Sequence, residues 1–294
     1  MKRSDFRLFH RLRVRWAEVD AQKIVFNGHY LMYVDTAIAD YWRAIGMPYP
    51  DALEHHGGDL YVKKASLEYH ASARYDDVLD VGLRCSRIGN SSMVFEAGIF
   101  RQDELLITGE LVYVYADPNT QTSMRVPQEL RDTISDFEAG KPMFQVRVGG
   151  WDELGADAQL VRTEVFVQEQ GIPAEMEWDD ADRGCLHAVA YNRFGMALAT
   201  GRMLEHVPGV AKIGRMAVRR TMRGSGVGRA VLDALMQAAR ERGYREALLH
   251  AQTSAAGFYA RAGFTARGPE FEEAGIAHRS MRKELPRRGG GPLD

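Results

Sequence analysis

Trp16-Ala-Glu-Val-Asp20-Ala-Gln-Lys-Ile-Val-Phe26-Asn-Gly-His-Tyr30 joins a strand pattern to a helix pattern, and its reading decides the fold of the first half of the chain. Before it, Leu8, His10, Leu12, Val14 and Trp16 alternate with Arg7, Phe9, Arg11, Arg13 and Arg15. A period of two predicts a strand with one charged face. After it, residues 29–45 predict a helix stopped by Gly46. Leu31, Met32, Val34, Ala37, Ile38, Tyr41 and Trp42 make that helix apolar on most of its circumference, so it is expected to be buried.

Four alternating runs follow, at 60–69, 78–87, 93–100 and 105–115, bounded by Asp76-Asp77, Gly89-Asn90 and Asp117-Pro-Asn119. An antiparallel sheet of about five strands wrapped around one central helix is the α+β hotdog architecture. The opening segment resembles the signature of the 4-hydroxybenzoyl-CoA thioesterase family of hotdog proteins, as do residues 65–77 and Val126-Pro-Gln-Glu-Leu130. The likeness covers residues 8–137. It implies that Asp20 is the catalytic aspartate, that Asn27 stands where members often carry His, and that Lys23 stands where they usually carry Gly. It also implies an active site formed between two subunits, hence a homodimer or homotetramer through this domain. The chemistry fits without the family. A thioester carbonyl needs a nucleophile, or a base to activate water, and a loop carboxylate such as Asp20 supplies either. The helix start at Asn27, Gly28, His29 and Tyr30 offers N–H groups to the developing oxyanion.

A second pattern begins past Gly140 and Pro142, which read as a linker between a domain at 1–140 and another at 144–285. Strands are predicted at 144–148, 187–191, 196–204, 212–218 and 247–250, and helices near 157–169, 226–242 and 254–261, an α/β order. In the helix at 226–242, Val227, Ala230, Val231, Ala234, Leu235 and Ala238 form the apolar stripe. Between strand and helix lies Arg219-Arg-Thr-Met-Arg223-Gly-Ser-Gly226-Val-Gly228-Arg229, a basic glycine-rich turn. Curled backbone amides at a helix N-terminus suit a pyrophosphate. Neither the Rossmann Gly-x-Gly-x-x-Gly nor a Walker Lys-Ser/Thr is present.

Arg223-x-x-Gly226-x-Gly228 resembles motif A of the GNAT acetyltransferase superfamily, and Leu248 to Phe264, with Ser254, Phe258-Tyr259 and Gly263-Phe264, resembles its motif B. Glu164-Val-Phe-Val-Gln-Glu169-Gln-Gly resembles a subgroup, and the likeness spans 144–284. It implies that Met216, Ala217 and Val218 pair with the pantetheine arm of acyl-CoA. Arg223, Gly224, Ser225, Gly226, Val227, Gly228 and Arg229 would hold the pyrophosphate, and Tyr259 would protonate the departing thiolate. The base for the acceptor amine stays open among Glu164, Glu169, Glu177 and water. Asp179-Asp180-x-Asp182 reads as a solvated acidic loop able to attract a cationic amine.

Composition bounds the rest. The 294 residues are 45% hydrophobic, 10% aromatic and 27% charged, which excludes a disordered chain and allows two domains. The formal charge of −2 argues against nucleic acid as a partner, although six basic and no acidic residues occur from 212 to 229. No apolar run approaches the ~20 residues of a membrane span, and Met1 to His10 lacks the apolar core of a secretory signal. Two cysteines, Cys85 and Cys185, form no metal or disulfide spacing, and a cytoplasmic location is expected. His55-His56 has no matching ligands, so no metal is expected. The end, 286–294, has nothing to bury and is expected to be a disordered tail. The combined expectation is a bifunctional enzyme of CoA thioesters. It hydrolyses acyl-CoA with one domain and transfers an acetyl or acyl group from CoA to a small amine with the other. The alternative is one active enzyme beside a non-catalytic CoA-binding module.

Overall fold

The structure is a computed structural model that describes residues 1–49, 53 and 56–286. His55 and residues 287–294, which make up nearly all of the expected tail, lie outside the described residues. The chain divides into two compact units, Met1–Met143 and Phe144–Asp294.

In the first unit, β1 (Leu8–Arg13), β2 (Asp59–Tyr69), β3 (Val78–Ile88), β4 (Ser92–Arg101) and β5 (Glu104–Ala116) form one sheet in the order β1-β3-β4-β5-β2. Every neighbouring pair is antiparallel. Helix α1 (Asn27–Ala44) packs on it through Tyr30, Tyr33, Val34, Ala37, Ile38, Tyr41 and Trp42, and α2 (Gln128–Glu138) follows β5. The buried residues of α1 recur at helical spacing and form one stripe. The expected all-round burial is therefore not met within a single chain, because sheet covers α1 on one side only. Met32 is 56% exposed and Leu31 37%. The first strand ends at Arg13, short of Trp16. Glu18 takes the Arg15 amide at 2.7 Å and curls Trp16–Glu18 into a 3₁₀ turn.

In the second unit, β6 (Phe144–Gly149), β7 (Leu186–Asn192), β8 (Ala197–Val207), β9 (Val210–Val218), β10 (Glu246–Gln252), β11 (Thr265–Glu273) and β12 (Ile276–Glu284) form a sheet ordered β11-β12-β10-β9-β8-β7-β6. Only β9 and β10 run parallel. They are joined by α4 (Val227–Glu241), as a parallel pair requires a crossover. Helix α3 (Trp151–Arg162) continues as a π-helical turn over Thr163–Glu169. It starts six residues earlier than position 157, where the sequence pattern places it. A short α5 (Ala256–Arg261) precedes β11. The two helices take opposite faces. Ala188 and Ala190 join the core under α4, whereas Val189 and Tyr191 join that under α3. The stripe of α4 turns out to be Val227, Val231, Leu232, Leu235, Met236 and Ala239. Burying Leu232 and Met236 removes more apolar surface than burying Ala230, Ala234 and Ala238, so the helix rotates toward the larger side chains. The hairpin β11–β12 leaves no clear alternation in sequence. Its turn at Ala274 and Gly275, with φ of 51° and 74°, completes the sheet.

Candidate active sites

The loop between β1 and α1 is a tight turn. The Asp20 amide donates to Ile24 O at 2.9 Å, and the Lys23 amide donates to Asp20 O at 2.9 Å. Lys23 has φ of 62°, the left-handed region that favours glycine, which accounts for the family's usual residue there. Lys23→Gly is expected to raise the unfolding free energy by up to about 1 kcal/mol and Lys23→Val to lower it by about as much, read by urea denaturation. The Asp20 carboxylate is half-buried, and its Oδ1 accepts the Gln22 amide at 2.8 Å, leaving its other oxygen without a hydrogen bond among the described residues.

Glu18 anchors this loop, a role the sequence pattern does not reveal. Its side chain is buried and accepts from the Arg15 amide, the Arg15 guanidinium and Tyr33 Oη, the last at 2.8 Å. Its carbonyl accepts the Phe26 amide at 2.9 Å, at the cap of α1. Burial alone would push the Glu18 carboxyl up, but these donors outweigh it and hold it below the usual carboxylate range. Glu18 fills the second place of a capping box, but Arg15 holds the first place instead of Ser, Thr, Asp or Asn, so the usual sequence signature is missing.

The start of α1 has no side-chain cap, and the Asn27 and Gly28 amides have no partner among the described residues. The His29 amide is taken by Phe26 O at 2.9 Å, and its Nδ1 is buried without a hydrogen bond. The Tyr30 side chain points inward. It is buried, and its hydroxyl accepts the Ala73 amide at 2.8 Å, tying the chain beyond β2 to the helix. Of the four helix-start residues, Asn27 and Gly28 thus present donors to solvent, while the Tyr30 side chain packs the core.

In the second unit the parallel pairing of β9 and β10 stops at Ile213 and Leu249. Beyond it the strands part. Met216, Ala217 and Val218 keep β8 on one side, with Ala217 opposite Thr200 and Val218 opposite Ala199, and have no strand on the other. A bulge at Arg215, whose φ is 50°, interrupts β9 opposite Gly201. The parted strands open a cavity of about 500 Å³ whose wall includes Phe166, Met216, Gln252 and Tyr259.

At the end of β9 the basic turn forms an amide cradle. Gly224 and Gly226 have φ of 87° and 88°. A Cβ on Gly228 would lie 2.8 Å from Val218 Cγ2, so only glycine lets α4 start this close to the strand. The amides of Gly224, Gly226, Gly228 and Arg229 have no partner among the described residues. Val227 donates to Ser225 Oγ at 3.4 Å, and Ser225 Oγ donates to Met222 O at 2.7 Å. The side chains are occupied. Arg223 is clamped by Glu169 through two bonds of 2.7 Å, and Arg229 pairs with Asp233 at 2.8 Å.

Tyr259 is 8% exposed, packs against Phe258 and Phe264, and lines the cavity, with no hydrogen bond to its hydroxyl among the described residues. Burial pushes its pKa up to about 12, so the hydroxyl keeps its proton at neutral pH. Phe258 is half-buried beside it, and Ser254 is exposed in the turn before α5. Of the three glutamates considered as base, Glu164 pairs with Arg219 at 3.2 Å, Glu169 pairs with Arg223, and Glu177 alone lines the cavity. Burial pushes the Glu177 carboxyl up against the pull of Arg162.

The stretch Asp179-Asp180-x-Asp182 is not the solvated acidic loop that its composition suggests. Asp182 is buried between Arg162 and Arg202 at 2.8 and 2.6 Å, and Asp179 pairs with Arg202 at 2.6 Å. The arginines come from α3 and β8, far away in sequence. Among the described residues no group of three or more acidic, His or Cys side chains is arranged to hold a metal.

The first unit thus has an antiparallel sheet packed on one helix with free amides at its start, and the second has parted strands that end in an amide cradle. Residues 22–108 match the thioesterase superfamily, and residues 158–285 match the acetyltransferase (GNAT) domain. The uncharacterized N-acetyltransferase YjcF of Bacillus subtilis is 38% identical over 130 residues, 44% of this chain and 91% of that protein. A putative esterase of Aquifex aeolicus is 26% identical over 127 residues, 43% of this chain and 97% of that protein. The acyl-CoA thioesterase YbgC of Haemophilus influenzae is 23% identical over 120 residues, 41% of this chain and 88% of that protein. The chain belongs to the GNAT acetyltransferase family and carries with it a hotdog domain of the thioesterase superfamily. Both families use acyl-CoA, so CoA thioesters are the implied substrates.

Proposed function

We propose that the chain is a bifunctional enzyme of CoA thioesters, hydrolysing acyl-CoA in residues 1–140 and transferring an acetyl or acyl group from CoA to an amine in residues 144–285. The observation that carries the transferase reading is the free edge of Met216–Val218, which leads to four unpartnered amides at one end and to a free, protonated tyrosine beside it. The pantetheine arm would add to that edge as a strand, and the pyrophosphate would take the amides. The amine nitrogen attacks the thioester carbonyl and gives up a proton to water or a base of the chain, the C–S bond breaks, and Tyr259 Oη–H gives its proton to the CoA sulfur and regains one from solvent. In the hotdog domain Asp20 acts on the thioester carbonyl directly or through water, and the Asn27 and Gly28 amides receive the oxyanion.

A homodimer or homotetramer through the first unit fits its surface. Phe26, Met32, Val62 and Tyr69 are each more than half exposed around α1 and the edge strand β2. The cytoplasm fits the two unpaired cysteines, and among the described residues no helix is long and apolar enough to cross a membrane.

The test is to incubate the whole chain with acyl-CoAs of graded length, with and without amines. Free CoA and acylated amine are followed by mass spectrometry. Hydrolysis without amine and acylated amine with it are both expected. Transfer without hydrolysis would reduce the first domain to a binding module, and hydrolysis without transfer would do the same to the second.

Glu169 has a measurable part in this scheme. It holds Arg223 where a pyrophosphate would otherwise pull it, so ligand must displace a carboxylate. Glu169→Gln is expected to tighten acetyl-CoA binding roughly three- to fivefold by calorimetry, the worth of one half-exposed ion pair. Weaker binding would mean instead that Glu169 orients Arg223 for the phosphate.

A further inference from the structure

We infer that His250 is the base of the transferase site: oriented by Glu273, it takes the proton that the acceptor nitrogen sheds as it bonds to the acyl carbon. The inference rests on the transferase reading above and names a residue for a step which that reading leaves open.

His250 sits where the strands part. The parallel pairing of β9 and β10 ends at Leu249, one residue before it. Ala247, Leu249 and Ala251 pack into the core under α4, so His250 between them faces the other side of the sheet. Tyr259 belongs to the core on the α4 side, and both residues line the cavity. The wall of the cavity thus takes an acid from one face of the sheet and a base from the other. The His250 ring is half-buried, and Phe271 packs edge-on against it with centroids 4.9 Å apart.

The hydrogen bonding makes this ring a base. His250 Nδ1 lies 3.3 Å from Glu273 Oε2. A carboxylate only accepts, so the hydrogen of a neutral ring is on Nδ1 and the lone pair on Nε2. Nε2 makes no hydrogen bond among the described residues and is not sealed from water. Burial, Lys212 on β9 and His278 on β12 push the His250 pKa below its ordinary value, against the pull of Glu273 on β11, so the ring is neutral at pH 7 and free to accept. His206 and His278 also line the cavity, but neither has a carboxylate to orient it among the described residues. The other carboxylates of the wall are worse placed. Glu177 pairs with Arg162 at 2.6 Å and faces Arg215 at 3.4 Å, and Asp179 pairs with Arg202 at 2.6 Å and faces Arg215 at 3.4 Å. Protonating either would strip a buried or part-buried arginine of a counter-ion.

The step balances with groups on hand. The C–N bond forms, the nitrogen becomes acidic, and His250 Nε2 takes its proton while Glu273 stabilises the imidazolium. The C–S bond breaks and the sulfur takes the Tyr259 proton. The imidazolium then releases its proton to solvent, and the tyrosine recovers one.

The experiment offers putrescine, lysine, tyramine and kanamycin to the whole chain with acetyl-CoA and reads acetylated amine by mass spectrometry, so that thioester hydrolysis does not register. The amine turned over fastest is then used at saturation. His250→Gln is expected to lower kcat about 100-fold, with acetyl-CoA affinity by calorimetry within about threefold and the melting temperature unchanged. Added imidazole should restore activity to His250→Ala and leave the wild-type chain unaffected. The wild-type kcat should fall in acid with a midpoint below the ordinary histidine value of 6.5. Glu273→Gln removes a negative charge and should move that midpoint to lower pH, whereas Lys212→Met removes a positive one and should move it to higher pH. A His250→Gln kcat within about threefold of wild type, an acid limb that persists in that variant, or a midpoint unmoved by both charge changes overturns the inference. So does a loss of rate that comes with weakened acetyl-CoA binding and no rescue by imidazole, which would assign His250 to structure. No acetylation of any of the four amines by the wild-type chain would overturn the transferase reading and the inference with it, whereas transfer that is indifferent to His250 overturns the inference alone.

Discussion

Tyr259→Phe is expected to lower the rate of acyl transfer about 10²-fold or more while leaving acetyl-CoA affinity and folding nearly intact. The change removes one oxygen from a ring held between Phe258 and Phe264. No hydrogen bond is lost with it, since the hydroxyl has no partner among the described residues, so packing has no reason to shift. What is lost is the proton. Burial holds the pKa at about 12, so the group is fully protonated at neutral pH and is a poor acid toward water. The Tyr259 hydroxyl lies in the wall of the cavity in which a CoA thiolate would leave. Single-turnover rates with acetyl-CoA and an acceptor measure the effect, and calorimetry with CoA measures the binding. An unchanged transfer rate would assign Tyr259 to the core and the proton to water.

Asp20→Asn is expected to reduce acyl-CoA hydrolysis by at least about 100-fold, with the same oligomer size and the same melting temperature. The loop should survive the change. The Asp20 side chain accepts the Gln22 amide at 2.8 Å, and an Asn carbonyl accepts it equally well. The loop is also pinned elsewhere, by Glu18 beneath it and by the Val19–Val25 bridge across it. A neutral amide in place of the carboxylate is neither a nucleophile nor a base. Transfer by the second domain should continue at its normal rate, which separates loss of Asp20 from general damage. Near-normal hydrolysis would remove Asp20 from the mechanism.

Periodicity and turn chemistry carried much of the fold because they are local. The strand before Asp20, the helix after it and the four alternating runs each follow from residues within one element. So does the basic turn, whose positive-φ glycines at 224 and 226 announce themselves by type. Three features were not legible in this way. Helix α1 has the composition of a fully buried helix, yet one chain covers only one of its sides. Glu18 carries no motif, because its partners Arg15 and Tyr33 matter only once the 3₁₀ turn has formed. The hairpin β11–β12 is mostly exposed on both faces of its first strand, so burial leaves no alternation to read.

The sequence by itself determined the two families, since their motifs are short segments whose order is their signal, and it nominated the residues proposed to bear their chemistry. Tertiary structure alone decided what surrounds those residues. That Asp179 and Asp182 are spent on Arg202 and Arg162 follows from β8 and α3 arriving beside a loop that is distant from them in the chain. That Arg215 turns toward Glu177 and Asp179 follows from the bulge that interrupts β9 opposite Gly201. The pairing of charges is a property of which elements meet, and the strength of each charge depends on how far water is excluded where they do.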